Sequence, residues 1–199
     1  MDRVLQLAFG AALSYAVGIW VAGYYLARWR TGKDLRELGS GSAGARNAAR
    51  LLGWELGTAA FAWDFAKGAL AVLFARTFLA DELSPGIAAV AVVVGHVWPV
   101  QLGLRGGNGV APAAGALVAW QPWALAIIAI VYAGGAIVSR GVAGRALAAF
   151  ALAAVSIPFL GMQAGESLAC ALMLAILIWT HREGFPSRKN NAIKEEVLK

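Results

Sequence analysis

The chain has a single cysteine, Cys170, among 199 residues. An internal disulfide framework is thereby excluded, and with no C-x-x-C pair or His/Cys cluster there is no zinc-site signature. Charge is scarce as well. Only 14% of residues are charged, against about 25% in ordinary globular proteins. Acidic residues number 11 and histidines 2. What fills the space is apolar: 60% of the residues are hydrophobic and the mean hydropathy is +0.66. A soluble domain of this size could not hide so much apolar surface, and a disordered chain would not carry it. The composition therefore selects the bilayer as solvent. The net charge of +6 would suggest nucleic acid in a soluble protein. In a membrane protein it points to basic cytoplasmic loops facing anionic lipid and anionic substrates, with no nucleic-acid partner.

About 20 apolar residues are needed to cross the hydrocarbon core. Residues 4–27 supply one such run, with Trp20, Tyr24 and Tyr25 placed for an interfacial belt. It is too long for a signal peptide, Asp2 stands beside Arg3 at its start, and no A-x-A cleavage pattern follows. Further apolar runs cover 54–79, 86–100, 112–122, 123–139, 146–162 and 167–181. The pattern predicts an all-α integral membrane protein of about seven transmembrane helices, two of them short. It forms a single polytopic domain over residues 1–182, followed by a polar tail at 183–199. Short segments beside a glycine-rich break suggest helices that stop inside the protein, where backbone can line a cavity. No internal repeat stands out.

All of the 17 basic residues except Arg3, Lys67 and Arg76 fall in four regions: 28–50, near 105, 140–145 and the C-terminal stretch from Arg182 onward. With seven spans these regions lie on one side. The positive-inside rule then places the N-terminus outside and the C-terminus in the cytoplasm. The expected location is the bacterial plasma (inner) membrane, multi-pass, with the polar work facing the cytoplasm.

Four stretches carry candidate chemistry. The first runs Gly39-Ser40-Gly41-Ser42-Ala43-Gly44-Ala45-Arg46-Asn47-Ala48-Ala49-Arg50. Glycines let backbone N–H groups converge on an anion, and a following helix N-terminus adds a favourable dipole. Ser40 and Ser42 add hydroxyls, while Arg46 and Arg50, four apart, share a helix face and can fork a phosphate. A flexible loop with orienting arginines accounts for the same residues. The P-loop spacing is absent. The second stretch is Asp64 and Lys67, three apart inside an apolar span, which line a cavity or fix helix packing as an ion pair. The third is His96, followed by Gly106, Gly107, Asn108 and Gly109, a breaker that leaves backbone donors free as a second anion cradle or makes a simple re-entrant turn. The last is Thr180-His181-Arg182-Glu183, leaving the final span, where a helix C-terminus alone favours the cations.

Three ordered motifs make the chain resemble the bacterial PlsY-type glycerol-3-phosphate acyltransferases, which are small seven-helix membrane enzymes. Ser40, Gly41, Gly44, Ala45, Asn47 and Arg50 match the family's G-S-G-N-x-G-A-T-N-x-x-R, and Asp64, Lys67 and Gly68 match a following D-x-x-K-G. Gly95, His96, Pro99, Gly106, Gly107 and Gly109 to Ala111 match G-H-x-x-P and G-G-K-G-V-A-T. His181 and Arg182, with Glu183 after them, resemble the opening of H-R-x-N. The resemblance implies transfer of a fatty acyl group from acyl phosphate to the 1-position of glycerol 3-phosphate, without a cofactor or metal. It further implies that Ser40 and Arg50 grip phosphate and that His181 orients substrate or assists proton transfer. Ser42, Arg46, Asn47, Lys67, Gly106, Gly107, Asn108 and Gly109 join the expected phosphate- and substrate-binding set. Asp64, His96, Arg182 and Glu183 support it.

The chain departs from the motifs at Ser42 (Asn in the family), Arg46 (Thr), Asn108 (Lys), Pro112 (Thr) and Gly184 (Asn). Arg46 is expected to restore the positive charge missing at Asn108. Beside the family reaction stand a divergent acyltransferase with another donor or acceptor, and a non-catalytic membrane protein that binds lipid phosphate or a partner. A transporter built on Asp64 and Lys67 is disfavoured, because the polar clusters gather at one membrane edge and not at the midplane.

Overall fold

The computed structural model describes residues 2–79, 81–123 and 164–181, with single positions at 126, 130, 133, 148, 151 and 152. Within these, α1 (Arg3–Gly18) and α2 (Ala22–Thr31) are followed by a 3-10 turn, Leu35–Glu37. Next come α3 (Ala45–Leu52), α4 (Trp54–Phe78) and α5 (Ser84–Val97), then a second 3-10 turn, Val100–Leu102. The shorter α6 (Val110–Trp120) and then α7 (Ala164–His181) complete the described elements. Four stretches are long and apolar enough to span a bilayer: Arg3–Thr31, Trp54–Phe78, Ser84–Leu102 and Ala164–His181. At 1.5 Å per residue, α4 is about 37 Å long and clears a hydrocarbon core of about 30 Å, whereas α6 reaches only about half of it. The apolar runs expected at 123–139 and 146–162 lie outside the described residues apart from Trp123 and those single positions, as do Arg140, Arg145 and the tail.

The first run behaves differently from its reading as one continuous span. It breaks at residues 19–21, where Val21 is extended (φ −84°, ψ 101°), and resumes as α2. No proline causes this. The backbone groups released by the break are met from other helices. The Lys67 ammonium donates to the carbonyls of Gly18 and Trp20, both at 2.9 Å, the Trp63 indole N–H to Trp20, and the Gln101 amide to Ile19. Carbonyls freed inside a membrane protein need such partners, so the break is a product of tertiary structure.

Helices approach closely through glycine. A Cβ on Gly68 of α4 would strike the backbone of Pro112 in α6, and one on Gly115 would strike the Phe65 carbonyl in return. Gly18 and Gly95 press α1 against α5 in the same reciprocal way. Small residues at crossings are the membrane solution to helix packing, since lipid tails give helices no hydrophobic reason to associate. The main core lies between α4, α5, α6 and α7, around Val72, Val92, Val93, Leu117, Met173 and Leu177. Large apolar side chains instead face outward, among them Leu70, Phe78, Leu168, Ile178 and Trp179.

The bundle has two distinct ends. At one, Arg3 pairs with Asp81, and Gln121 donates to Glu166. The other end collects the 32–44 loop, the 98–109 loop and the last turn of α7.

Candidate active site

The first loop is held by its own side chains. Asp34 accepts the Arg36 backbone N–H at 2.9 Å, starting the 3-10 turn, and then receives the Arg36 guanidinium on both oxygens. That pairing holds the Asp34 carboxyl below its ordinary range and raises the guanidinium in turn. The remaining arginine donors reach the carbonyls of Leu102 and Arg105 in the second loop, and the guanidinium lies over the Tyr24 ring, 5.1 Å from its centre. Arg36 therefore joins the two loops.

Asn47 does the same within the first loop. It is 2% exposed. Its amide nitrogen donates to the carbonyls of Leu35, Leu38 and Ser42 at 2.9–3.1 Å, and its oxygen accepts the Ser40 N–H at 3.0 Å. A buried amide committed to four backbone groups fixes the path of residues 35–42. Sequence placed Asn47 among the phosphate ligands; its side chain is instead spent on shaping the loop.

The second loop begins where α5 ends before Pro99. It folds back so that Gly106 N–H meets the Val97 carbonyl and Gly107 N–H the His96 carbonyl, at 3.0 and 3.1 Å. The His96 ring lies against Gly107 so closely that a Cβ there would overlap Nε2. Gly109, at φ +85°, turns the chain into α6 in a conformation that costs other residues about 1–2 kcal/mol.

The loops then join each other. Ala43 N–H donates to the Gly106 carbonyl at 3.1 Å, and the Ser42 hydroxyl lies 3.1 Å from Asn108 Oδ1 while accepting the Gly44 N–H at 3.2 Å. Both α3 and α6 start on glycine caps, Gly44 and Gly109, with no side-chain cap bond. Their N-terminal ends open at this junction, which favours anions through the helix dipole and the uncapped first-turn donors. From α7, the Thr180 hydroxyl reaches the Asn108 carbonyl at 3.0 Å. Next to it, His181 Nδ1 lies 2.8 Å from the Leu177 carbonyl. A carbonyl can only accept, so Nδ1 carries a proton, and Nε2 is the ring nitrogen left facing away from that bond.

Ser42, Gly106, Gly107, Asn108, Gly109 and His181 are thus drawn to one place, and Ser40, Arg46 and Arg50 stand exposed on the first loop and α3. Asp64, Lys67 and His96 form a separate buried group beneath the second loop. Lys67 Nζ is 2.8 Å from Asp64 Oδ1 and 3.0 Å from His96 Nδ1, and all three side chains are nearly inaccessible. Lys67 was expected on the substrate; it is found on the α1–α2 break. Arg182 and Glu183, with Gly184, lie outside the described residues. Among the described residues no three His, Cys, Asp or Glu side chains converge as metal ligands would. Arg36 reads in sequence only as one charge of the 28–50 loop, although the Asp-x-Arg spacing of 34–36 is what an aspartate-started turn requires. It also gave Thr180 no role of its own. Alongside Lys67, an open apolar cleft of about 390 Å³ runs between Ala16, Val17 and Trp20 on one side and Trp63, Ala66 and Leu70 on the other.

An all-helical bundle with apolar outer faces, two interlocked glycine-rich loops and a histidine at one end defines an integral membrane protein with its polar groups gathered at that end. The chain belongs to the glycerol-3-phosphate acyltransferase family: the family model of that description matches residues 8–189. A glycerol-3-phosphate acyltransferase of Myxococcus xanthus is 39% identical over 171 residues, covering 85% of this chain and 89% of the relative. One from Thermus thermophilus is 39% identical over 176 residues, covering 86% and 85%. Among solved structures, the glycerol 3-phosphate form of PlsY, an integral membrane glycerol 3-phosphate acyltransferase, superposes with a TM-score of 0.83 at 31% identity, covering 89% of each chain. Its lysophosphatidic acid form gives 0.80 at 29% identity, again over 89% of each.

Proposed function

We propose that this protein moves a fatty acyl group from an acyl phosphate to the 1-hydroxyl of glycerol 3-phosphate, giving 1-acyl-glycerol 3-phosphate and inorganic phosphate. The observation that carries the reading is the junction itself: Ala43 on Gly106, Ser42 on Asn108 and Thr180 on Asn108 bring three separate polar stretches into one anion-accepting site. The relatives act on glycerol 3-phosphate by name, and PlsY has been solved with that substrate and with lysophosphatidic acid.

An acyl phosphate is an activated mixed anhydride and needs no protein nucleophile. The acceptor hydroxyl attacks the carbonyl carbon, the carbon–oxygen bond to phosphate breaks, and the hydroxyl proton leaves as the new ester forms. His181, with Nδ1–H held by Leu177, offers Nε2 to orient that hydroxyl or take its proton. Ser40, Arg46 and Arg50 hold phosphate oxygens, together with the backbone N–H groups of Asn108 and Gly109, since those of Gly106 and Gly107 are committed to the Val97 and His96 carbonyls. Holding both reactants in place can supply about 7–11 kcal/mol of the barrier. A donor aimed at developing charge adds about 3–4 kcal/mol. Asp64, Lys67 and His96 act one layer below, keeping the α1–α2 break and the second loop in register. The apolar cleft beside Lys67 suits the acyl chain of the donor.

The positive-inside distribution supports seven spans with the site on the cytoplasmic side of the plasma membrane, the N-terminus outside, and residues 1–182 as one transmembrane domain ahead of a polar tail at 183–199.

The test is turnover of purified protein given acyl phosphate and glycerol 3-phosphate, following phosphate release and the acyl product. Folded protein that turns over no donor overturns the reading, and phosphate release without acylated glycerol 3-phosphate reassigns the acceptor. Ser40→Ala is expected to lower kcat by roughly 100- to 1,000-fold.

A further inference from the structure

We propose that Ser42 and Asn108 form a matched pair in which Ser42 is a positioning residue, turning the Asn108 amide so that its nitrogen donates to a phosphate oxygen. The inference rests on the acyltransferase reading and assigns within it a neutral donor where the resembled motif carries a lysine.

The geometry fixes most of the pair. Asn108 is placed by the neighbouring Gly107 N–H on the His96 carbonyl at 3.1 Å and by the Thr180 hydroxyl 3.0 Å from its own carbonyl, which shares that proton with the Leu177 carbonyl at 3.0 Å. Ser42 is equally anchored: its oxygen accepts the Gly44 N–H at 3.2 Å, and the Ala43 N–H beside it is tied to Gly106 at 3.1 Å. One hydroxyl proton is left to Ser42, and it points at Asn108 Oδ1, 3.1 Å away, which can only accept. With the oxygen end occupied, the amide presents Nδ2 and its two N–H groups. Among the described residues Nδ2 forms no hydrogen bond, and the side chain is partly exposed at the junction of the two helix N-termini.

The two side chains in contact are also two of the positions at which this chain departs from the resembled motifs. A serine is short enough to leave room for the Asn108 amide and supplies the proton that orients it. An ammonium at 108 has no acceptor end for Ser42 to hold. The positions are therefore expected to change together.

A double-mutant cycle tests this, with inorganic phosphate binding measured by calorimetry and the KM for glycerol 3-phosphate measured in parallel. Ser42→Ala is expected to weaken phosphate binding by roughly fivefold, the effect of one ordinary hydrogen bond. The loss should appear mainly in the KM for glycerol 3-phosphate, because positioning an anion donor acts on binding. Ser42→Thr, which keeps the hydroxyl, should restore the parental affinity. Asn108→Ala is expected to cost roughly 10- to 100-fold, as for a hydrogen bond to a charged group, and Asn108→Asp more, because acceptor oxygens replace the donors. In the double alanine variant, loss of Ser42 should add nothing further. Independent, multiplying losses in the cycle, full affinity in Asn108→Asp, or failure of Ser42→Thr to rescue would overturn the pairing. If the parent protein turns over no substrate, the acyltransferase reading fails by itself, and the phosphate-binding cycle still decides the pair. Thermal unfolding of each variant separates lost binding from lost fold.

Discussion

Replacing Lys67 by methionine is the sharpest single perturbation, because the residue has almost no solvent to fall back on. It is 3% exposed, and Asp64 beside it is fully buried. The ammonium closes an ion pair at 2.8 Å and satisfies the Gly18 and Trp20 carbonyls. Methionine fills nearly the same volume, so little of the effect comes from a cavity. What remains is a buried carboxylate whose Oδ2 already lacks a hydrogen-bond partner among the described residues. Breaking one partner of a buried pair costs about 3–5 kcal/mol, and stranded carbonyls add about 1–3 kcal/mol each. Even the lower figure corresponds to a fall in Tm of about 6–12 °C for a chain of this size. Thermal unfolding in detergent reads the shift directly. Adding Asp64→Asn should recover part of the loss, since the uncompensated charge disappears with it. Phosphate affinity of whatever folds should stay within a few-fold of the parent. A Lys67→Met protein with unchanged Tm, or one with unchanged Tm and no phosphate binding, would refute the assignment and return Lys67 to the substrate.

Three further outcomes are expected. Asn47→Ala strands several loop carbonyls and the Ser40 N–H, and should weaken phosphate binding by more than tenfold at a stability cost of about 1–3 kcal/mol, read by calorimetry and unfolding together. Asp34 has a depressed folded-state value relative to the ordinary 3.8, so its stabilising contribution is present above that value and is lost as pH falls through the lower one. Tm measured from pH 6 to pH 3 should thus fall less steeply in Asp34→Asn than in the parent, and equal slopes would dismiss the Asp34–Arg36 pair as a stabilising element. Arg46→Thr should lower phosphate affinity, and Asn108→Lys added to it should restore affinity if Arg46 supplies the charge that Asn108 lacks. A double variant no better than Arg46→Thr alone, in the same binding assay, would end that idea.

Much of the site was legible because its chemistry is written in consecutive residues. The glycine-rich runs at 39–44 and 106–109 declare flexible, donor-rich backbone by composition, and each does precede a helix. The long span at 54–79 was readable for the same local reason: an unbroken apolar run leaves the backbone no option but a helix. Other features depend on partners distant in sequence. Nothing in Gly18-Ile19-Trp20-Val21 marks a helix break, since the carbonyls it frees are satisfied by residues more than forty positions away, such as Lys67. Asp64 and Lys67 were recognisable as a costly intramembrane pair, yet their destination required knowing where that break falls. Asn47 has the right chemistry for a phosphate ligand, and only the folded loop reveals that its amide is fully engaged. The Ser42–Asn108 contact joins residues 66 apart and could not be read from either motif alone.

The outward-facing Leu70, Phe78, Leu168 and Ile178 sit on the flanks of the bundle, while both loops lie at its tip. That division gives the molecule two doors in different media. For the proposed reaction, the flanks offer a greasy donor a sideways approach from the lipid and the tip offers a water-loving acceptor an approach from the aqueous side. In that proposal they meet at the rim without either being dragged across the boundary, and the acylated product forms beside the lipid it joins.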